Sequence, residues 1–146
     1  MSLDGTPRSP EDAAMTGVIV VTHGQSGAEI VRAVEQKVGH ALEHVTALGV
    51  AIDEAPAAVQ ARLEDAVVAL GDVEMVFLVD LGGSTPFNLC CRRCGGASAV
   101  VSGVNMAMLF KLSTADRHTG ARHLADELAA SGAKSISVRG GQSEST

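Results

Sequence analysis

A histidine and an aspartate each follow a short apolar run of this chain, and glycines come soon after both. His23 comes just after the apolar residues 17–21, and Asp80 just after residues 75–79. A histidine near neutral pH is a good nucleophile when a carboxylate keeps one ring nitrogen protonated and leaves the other free. The two residues could therefore act as a nucleophile and its orienting carboxylate. The alternative is a loop histidine that bonds a nearby carbonyl and an aspartate that caps a turn.

A run of small residues, 82–85, precedes Pro86 and could hold an anion. Glycines let backbone N–H groups approach an anion, and the helix predicted to start here would add positive potential at its N-terminus. The hydroxyls of Ser84 and Thr85 could add hydrogen bonds. An ordinary tight turn with an N-cap is the alternative. The spacing of a nucleotide-binding P-loop is absent from the sequence, and so is a dinucleotide Gly-x-Gly-x-x-Gly after residues 17–21.

Apolar runs and helical patterns alternate along the chain and would position these residues. The predicted strands are residues 17–22, 45–50, 73–80, 98–102 and 136–138. The helical patterns between them predict an α/β fold, a single three-layer domain with a mainly parallel sheet and right-handed crossovers. In a flavodoxin-like sheet of order 2-1-3-4, strands 1 and 3 are neighbours at the topological switch point. His23 and Asp80 would then lie side by side at the carboxyl edge of the sheet.

Capping residues predict where the helices begin and end. Ser26 and Glu29 have the spacing of a capping box, and Gly39 would end that first helix in a left-handed conformation. The other predicted N-caps are Asp53, Thr85 before Pro86, and Ser113 together with Asp116.

Composition and charge exclude several classes of protein. A chain of 146 residues has room for one domain with a real core. A formal net charge of −6, with three Phe and no Trp or Tyr, argues against nucleic acid as a partner and against an anionic membrane surface. No apolar stretch approaches the length of a membrane span, so no direct membrane insertion is expected.

The two ends of the chain are small and polar. We expect residues 1–14 to be a disordered arm or an expression-derived extension, because they carry two prolines and no apolar segment of a signal peptide. Residues 15–139 would form the domain, and residues 140–146 a flexible tail.

Three cysteines, Cys90, Cys91 and Cys94, lie on one predicted helix. An odd number on one short segment is no disulfide framework and fits a reducing, cytoplasmic compartment. Cys91 and Cys94 have C-x-x-C spacing, but they lie at the end of a helix, and no second metal half-site follows. We therefore expect cysteines that pack in the core, with neither a metal nor a cofactor.

Three motifs of this chain occur together in one known family. They are GVIVVTHG at residues 17–24, FLVDLGGSTPFN at residues 77–88 and VSGVNMAML at residues 101–109. With these motifs in this order and spacing, the chain resembles the enzyme IIA component of the mannose-type (mannose/fructose/sorbose) phosphoenolpyruvate:sugar phosphotransferase system. The resemblance extends over residues 15–138. The combination is specific, although no single motif would be.

The resemblance implies a phosphocarrier, that is, a phosphotransferase component. His23 would accept a phosphoryl group from the phosphocarrier protein HPr and pass it to a IIB protein for sugar uptake and phosphorylation. Asp80 would be the hydrogen-bond partner of His23. Asn105 and Met106, after the fourth strand, would belong to a partner interface, where methionine can serve a protein partner.

The resemblance also implies which residues bind phosphate, namely Gly24, Gly83, Ser84 and Thr85. The loop of the family often reads Asp-x-x-Gly-Gly-Ser/Thr-Pro. Aligned without a gap, Ser84 falls on the second glycine and departs from the common form, while Thr85 falls on the hydroxyl position. The family is typically a homodimer whose short last strand crosses antiparallel to the partner, and residues 135–138 would be that strand.

Three other functions stay open. Histidine phosphatases and phosphoglycerate mutases also have His-Gly after a first strand, but an arginine precedes that histidine, where this chain has Thr22. The phosphotransfer subunit of dihydroxyacetone kinase resembles the same family, although the stretch Gly-Ser-Thr-Pro-Phe-Asn favours the sugar-transport branch. A regulatory module phosphorylated at His23 without any transport would need the same site.

Overall fold

The computed structural model describes residues 14–71 and 73–141, which form four strands and five helices. In chain order the elements are β1 (Gly17–His23), α1 (Ser26–Val38), β2 (Val45–Val50), α2 (Pro56–Ala69), β3 (Met75–Val79), α3 (Thr85–Arg93), β4 (Ala99–Ser102), α4 (Met106–Thr114) and α5 (Ala121–Lys134).

The four strands run parallel in one sheet of order β2-β1-β3-β4. Strand β1 lies in the middle, where Val18 pairs with Val45 of β2 on one side and with Val76 of β3 on the other. The predicted strand order is therefore confirmed. Because β1 and β3 are adjacent and parallel, the residues that follow them meet at the same carboxyl edge of the sheet.

Helices cover both faces of this sheet. Side chains alternate between the faces of a strand, so Val20 packs with Leu124 on the face covered by α1, α4 and α5, while Ile19 packs with Leu63 on the face covered by α2 and α3. All five residues of β3 are buried, which explains its continuous apolar sequence. Burying one Val, Leu, Phe or Met side chain stabilises the folded state by roughly 1.5–3 kcal/mol. The buried strands therefore hold the carboxyl edge of the sheet in place.

Helix α1 begins without the predicted capping box. Its N-cap is Gln25, which makes no side-chain cap, and Ser26 is already helical. The hydroxyl of Ser26 donates to the carbonyl oxygen of His23 at 3.1 Å, while Oγ1 of the buried Thr22 accepts from the amide of Gly27 at 2.8 Å. The capping-box prediction is wrong because a side chain from the preceding strand reaches the first turn of the helix. The predicted end is confirmed, since Gly39 is left-handed at φ +87°.

The other predicted N-caps are wrong as well. The N-cap of α2 is Ala55 rather than Asp53, and that of α3 is Ser84 rather than Thr85. Proline is allowed throughout the first turn, so Thr-Pro fits a helix that starts at either residue. Ser113 lies inside α4, and α5 begins only at Ala121, after Gly120.

A distant glutamate completes the start of α5. Oε1 of Glu74, just before β3, accepts from the amide of Ala121 at 2.7 Å. Glu74 and Ala121 are 47 positions apart in sequence. Local capping signals such as Ser113 with Asp116 could not reveal this contact.

Residues 135–141 follow α5 without regular secondary structure, so the strand predicted at 136–138 is not formed in this single chain. Ile136 and Val138 are 74 % and 96 % exposed. The predicted partner of that strand is a second copy of the chain, so the exchanged strand stays a prediction. The predicted arm lies outside the described residues apart from Ala14, and the tail lies outside them beyond residue 141.

No helix in the described part of the chain has both the length and the apolar character to cross a bilayer.

Candidate active site

The structure brings His23 and Asp80 together at the carboxyl edge of the sheet. His23 is the last residue of β1, and Asp80 directly follows β3. The Nδ1 atom of His23 lies 3.0 Å from Oδ2 and 3.2 Å from Oδ1 of Asp80. The backbone amide of His23 also donates to Oδ2 at 2.9 Å. One carboxylate therefore holds both the ring and the backbone of the histidine.

This contact selects the ring nitrogen that is left for chemistry. A carboxylate accepts hydrogen bonds, so Nδ1 carries the proton in the neutral imidazole, and Nε2 keeps its lone pair. The side chain of His23 is 49 % exposed, whereas that of Asp80 is 27 % exposed. The histidine is thus anchored on one side and open to a partner on the other.

Asp80 is ionised at neutral pH. Partial burial alone would raise the pKa of its carboxyl group, but hydrogen bonds from the amide and ring of His23, with the attraction of the imidazolium, together hold the pKa below the usual aspartate value. A permanent negative charge beside Nδ1 can balance positive charge that a new bond at Nε2 would place on the ring. The site can therefore stabilise an imidazole whose Nε2 has formed a new bond.

The turn after β1 depends on a glycine. Gly24 has φ +60°, a left-handed conformation that side chains rarely adopt, and its amide donates to the carbonyl of Val50 at 2.8 Å. Gly24 therefore fixes the turn beneath His23, and its amide is used within the fold rather than left for an anion.

The turn after β3 leads into α3 through Gly83 and Ser84. Gly83 is left-handed at φ +81°. The hydroxyl of Ser84 donates to the carbonyl of Leu81 at 2.7 Å and accepts from the amide of Phe87 at 3.3 Å. Both roles of that hydroxyl are thus taken by the turn and the helix cap. The departure from the glycine of the resembled loop is explained by this capping role.

Of the two hydroxyl groups in this turn, that of Thr85 is available to a ligand, whereas that of Ser84 is not. Thr85 is exposed, it is the first residue of α3, and its hydroxyl makes no hydrogen bond within the described residues. The N-terminus of α3 adds positive potential at the same place. Because Pro86 has no N–H and Ser84 binds the amide of Phe87, the amides of Gly82, Gly83 and Thr85 are those of this turn that make no hydrogen bond within the described residues.

Asn105 and Met106 differ in what they can offer a partner. Oδ1 of Asn105 accepts from the amide of Met108 at 3.1 Å, and its Nδ2 donates to the carbonyl of Gly132 at 3.3 Å. Its side chain thus joins α4 to α5 and is occupied inside the chain. Met106 is 41 % exposed and stays available.

Two exposed apolar residues at this edge were missed by the sequence analysis. Ile52 lies two residues after β2, and Leu81 two residues after β3, and they are 103 % and 60 % exposed. With Met106 they form what we call the apolar rim: Ile52, Leu81 and Met106. The signal that could have found them is a large aliphatic residue in a loop just after the carboxyl end of a strand.

The three cysteines lie at the end of α3, away from His23 and Asp80. Cys90 is buried as predicted, but Cys91 is exposed and Cys94 partly buried, so the prediction of core cysteines is wrong for Cys91. It sits on the outer face of the last turn of α3. Among the described residues, no three His, Cys, Asp or Glu side chains are grouped so as to hold a metal ion.

Fold and site together define a doubly wound α/β protein with a histidine–carboxylate pair at its switch point. The family model of the phosphotransferase-system fructose IIA component, EIIA-man, matches residues 17–130. This chain belongs to that family, and the resemblance found in its motifs is confirmed. It is thus a phosphotransfer component of a sugar phosphotransferase system.

Solved structures of phosphotransferase components share the fold. The mannose/sorbose-specific IIA subunit of Enterococcus faecalis has a TM-score of 0.77 and 21 % identity over 90 % of this chain and 100 % of its own. EIIA of Streptococcus agalactiae has a TM-score of 0.72 and 27 % identity over 85 % and 97 %. The IIA protein associated with the fucose utilization operon of Streptococcus pneumoniae has a TM-score of 0.73 and 23 % identity over 86 % and 95 %. No curated protein matches the sequence significantly.

Proposed function

We propose that this protein carries a phosphoryl group on Nε2 of His23, which it takes from HPr and passes to a IIB protein. The observation that supports this most strongly is the double contact of Asp80 with the ring and amide of His23. It leaves one ring nitrogen, on a half-exposed side chain, as a nucleophile.

The transfer is a simple exchange of bonds at phosphorus. The lone pair of Nε2 attacks the phosphorus atom of phospho-HPr, the bond between phosphorus and the donor's own atom breaks, and the electron pair of that bond leaves with the donor. The proton stays on Nδ1, and the Asp80 carboxylate balances the positive charge of the phosphorylated ring. Transfer to the IIB protein reverses these steps with a new acceptor.

We assign the phosphate contacts to Gly83 and Thr85. Their backbone amides and the Thr85 hydroxyl make no hydrogen bond within the described residues once the turn and the helix cap have formed. Of the other two candidates, Ser84 acts through the cap, and Gly24 through the shape of its turn. Positive potential at the start of α3 supports an anion here.

The apolar rim fits a protein donor rather than a small phosphate ester. Ile52, Leu81 and Met106 follow three different strands on the edge that carries His23. Exposed apolar residues grouped around a reactive side chain are typical of protein docking. Because one histidine must face both partners, HPr and the IIB protein would use this rim in turn.

We propose in addition that the protein is a homodimer. Strand β4 is an edge of the sheet, and a groove of about 450 Å³ runs along it between residues 98–102 and Arg122 and Asp126 of α5. Ile136 and Val138 lie exposed after α5. Residues 135–138 of a second copy would pair antiparallel with β4 and cover its open edge. The Ile136 and Val138 side chains of each copy would be covered by the same pairing.

Sedimentation tests the dimer. The wild-type chain is expected to have twice its monomer mass, and the double variant Ile136→Asp with Val138→Asp to be a folded monomer. A wild type that stays monomeric at all concentrations would contradict the exchanged strand.

Intact-protein mass tests the carrier function. Incubation with phosphoenolpyruvate, enzyme I and HPr is expected to add one phosphoryl group that is lost in mild acid, and His23→Ala is expected to add none. His118→Ala is the matched control, because His118 also contacts an aspartate, Asp116, at 3.5 Å. His118 follows Arg117, which binds Thr16 just before β1, at the edge of the sheet opposite His23. A wild type that gains no mass with HPr present, although folded, would overturn the proposal.

A further inference from the structure

The three cysteines at the end of α3 differ in their surroundings. Cys90, on the inner face of α3, is buried in the core cluster that α3 and α2 form with the sheet. Cys91 is exposed in the last turn of the helix, and Cys94 is the partly buried C-cap. Two thiols that reach solvent therefore lie next to one that does not, and phosphoryl transfer uses none of them.

Cys91 and Cys94 lie one helical turn apart. The amide of Cys94 donates to the carbonyl of Cys90 at 2.8 Å, so the α-helical turn is closed as far as Cys94. Helix geometry then places the Cα atoms of Cys91 and Cys94 about 5 Å apart, within the roughly 4.4–6.8 Å that a disulfide spans.

The backbone after Cys91 can adjust to close the remaining gap. Cβ atoms at this spacing are about 5–6 Å apart in a regular helix, roughly 1 Å more than a disulfide allows. Cys94 already leaves the helix at φ −67° and ψ 130°. Gly95 and Gly96 follow it, and a Cβ atom added at either would meet nothing within 4 Å. Cys94 itself packs partly against the core cluster of α2 and α3, so the adjustment would come from its extended C-cap backbone and from the two glycines that follow it.

We propose that Cys91 and Cys94 form a reversible intramolecular disulfide, which makes the end of α3 a thiol-redox site oxidised by hydroperoxides. The sulfur of Cys91 attacks the terminal oxygen of the hydroperoxide, the O–O bond breaks, and the other oxygen takes the proton of the Cys91 thiol and leaves as the corresponding alcohol or as water. Cys91 is then a sulfenic acid. The sulfur of Cys94 attacks the sulfur of Cys91, the S–O bond breaks, and water leaves with the Cys94 proton. The two thiols lose two electrons, which reduce the hydroperoxide.

The surroundings of the three thiols determine which cysteine is oxidised first. Burial raises the pKa of the Cys90 thiol to about 12, so Cys90 stays inert. Burial and the neighbouring Cys91 also raise the pKa of Cys94. Cys91 is therefore the thiol that meets the oxidant, and Cys94 the one that resolves the sulfenic acid.

This redox site is separate from the phosphate turn. Helix α3 has nine residues and so is about 13 Å long, with Thr85 at one end and the cysteines at the other. Oxidation is expected to leave phosphorylation of His23 unchanged, and the inference does not rest on the carrier function.

Peptide mapping after oxidation tests the pair. Reduced wild-type protein is treated with stoichiometric tert-butyl hydroperoxide, and free thiols are counted under denaturing conditions. We expect two of the three thiols to be lost, the intact monomer to lose two hydrogen atoms, and dithiothreitol to restore both. Trypsin cuts after Arg92 and Arg93, so the disulfide would join two separate peptides.

Single variants identify the partners. Cys91→Ser and Cys94→Ser are each expected to abolish the intramolecular crosslink, and Cys90→Ala to retain it. If Cys90→Ala does not fold, fragmentation of the disulfide-joined wild-type peptides decides, because Cys90 and Cys91 lie on the same tryptic peptide, residues 63–92. A disulfide that contains Cys90, oxidation that ends on Cys91 alone, or a crosslink found only between two chains would overturn the proposal.

Discussion

The carboxylate of Asp80 contacts His23 twice, at its ring Nδ1 3.0 Å away and at its backbone amide 2.9 Å away. The two residues are 57 positions apart in sequence and meet only because β1 and β3 are parallel neighbours. The backbone contact fixes where β1 ends, and the ring contact fixes which nitrogen is free. The sheet topology thus determines the chemistry of the histidine.

Asp80→Asn is expected to slow phosphorylation of His23 about tenfold. A hydrogen bond to a charged group contributes roughly 1.5–3 kcal/mol. Because the His23 side chain is half exposed, solvent screening brings the effect toward the lower value, which corresponds to about tenfold in rate. Asp116→Asn removes the carboxylate of the other histidine–aspartate contact and is the control. Equal rates for wild type and Asp80→Asn in a rapid-quench assay would contradict the role of Asp80.

The stability that Asp80 contributes is expected to disappear in acid. Its pKa is lowered in the folded protein from an ordinary value of 3.8, so its contribution is fully present above that value and is lost as the pH falls through the lower folded pKa. Urea unfolding of wild type and Asp80→Asn between about pH 6 and about pH 3 measures this. The difference in unfolding free energy is expected to shrink as the pH falls. A difference that grows in acid would show that the pKa is raised instead.

Substitutions at Ser84 and Thr85 are expected to have different effects, the first on the stability of the fold and the second on the rate of phosphoryl transfer. Ser84→Ala removes the cap of α3 and should lower the free energy of unfolding by about 1 kcal/mol. Thr85→Val keeps the shape of the side chain but removes the free hydroxyl, so it should slow phosphorylation by up to roughly tenfold with little change in stability. Thermal unfolding and phosphorylation rates of both variants test this. The reverse pattern, with Thr85→Val unstable and Ser84→Ala slow but stable, would refute the assignment.

A charge in the apolar rim is expected to weaken docking of the protein donor. Leu81→Asp should raise the KM for phospho-HPr about tenfold, because a carboxylate would have to be desolvated in the interface. Val68→Asp is the matched control, since Val68 is 75 % exposed but lies near the end of α2, away from the rim. Steady-state kinetics with varied HPr measures both. If the two variants raise KM equally, the rim has no special part in docking.

The sequence predicted the features that depend on local patterns or on apolar runs. The runs before His23 and Asp80, together with the alternation of elements, predicted a parallel sheet, and in the flavodoxin-like strand order the two residues were expected to meet. Gly39 ended α1 as predicted because a left-handed glycine needs no distant partner.

The features that the sequence did not predict depend on distant contacts. The side chain of Thr22 accepts a hydrogen bond from a backbone amide in the first turn of α1, and that of Glu74 does the same for α5. The local capping signals were therefore misleading. Ser84 and Thr85 both carry hydroxyls, and only the geometry of the turn shows which one is used for the cap. The strand predicted at 136–138 is not formed in the single chain, and its pairing with a second copy stays a prediction.

The most direct test of the account is the site of phosphorylation on the ring. Protein labelled with ¹⁵N-histidine would be phosphorylated by phosphoenolpyruvate, enzyme I and HPr, and the coupling between phosphorus and the ring nitrogens measured by NMR. We expect phosphorus to be bonded to Nε2 of His23 while Nδ1 keeps its proton against Asp80. Phosphorus bonded to Nδ1 of His23, or to one of the other four of the five histidines, would contradict it.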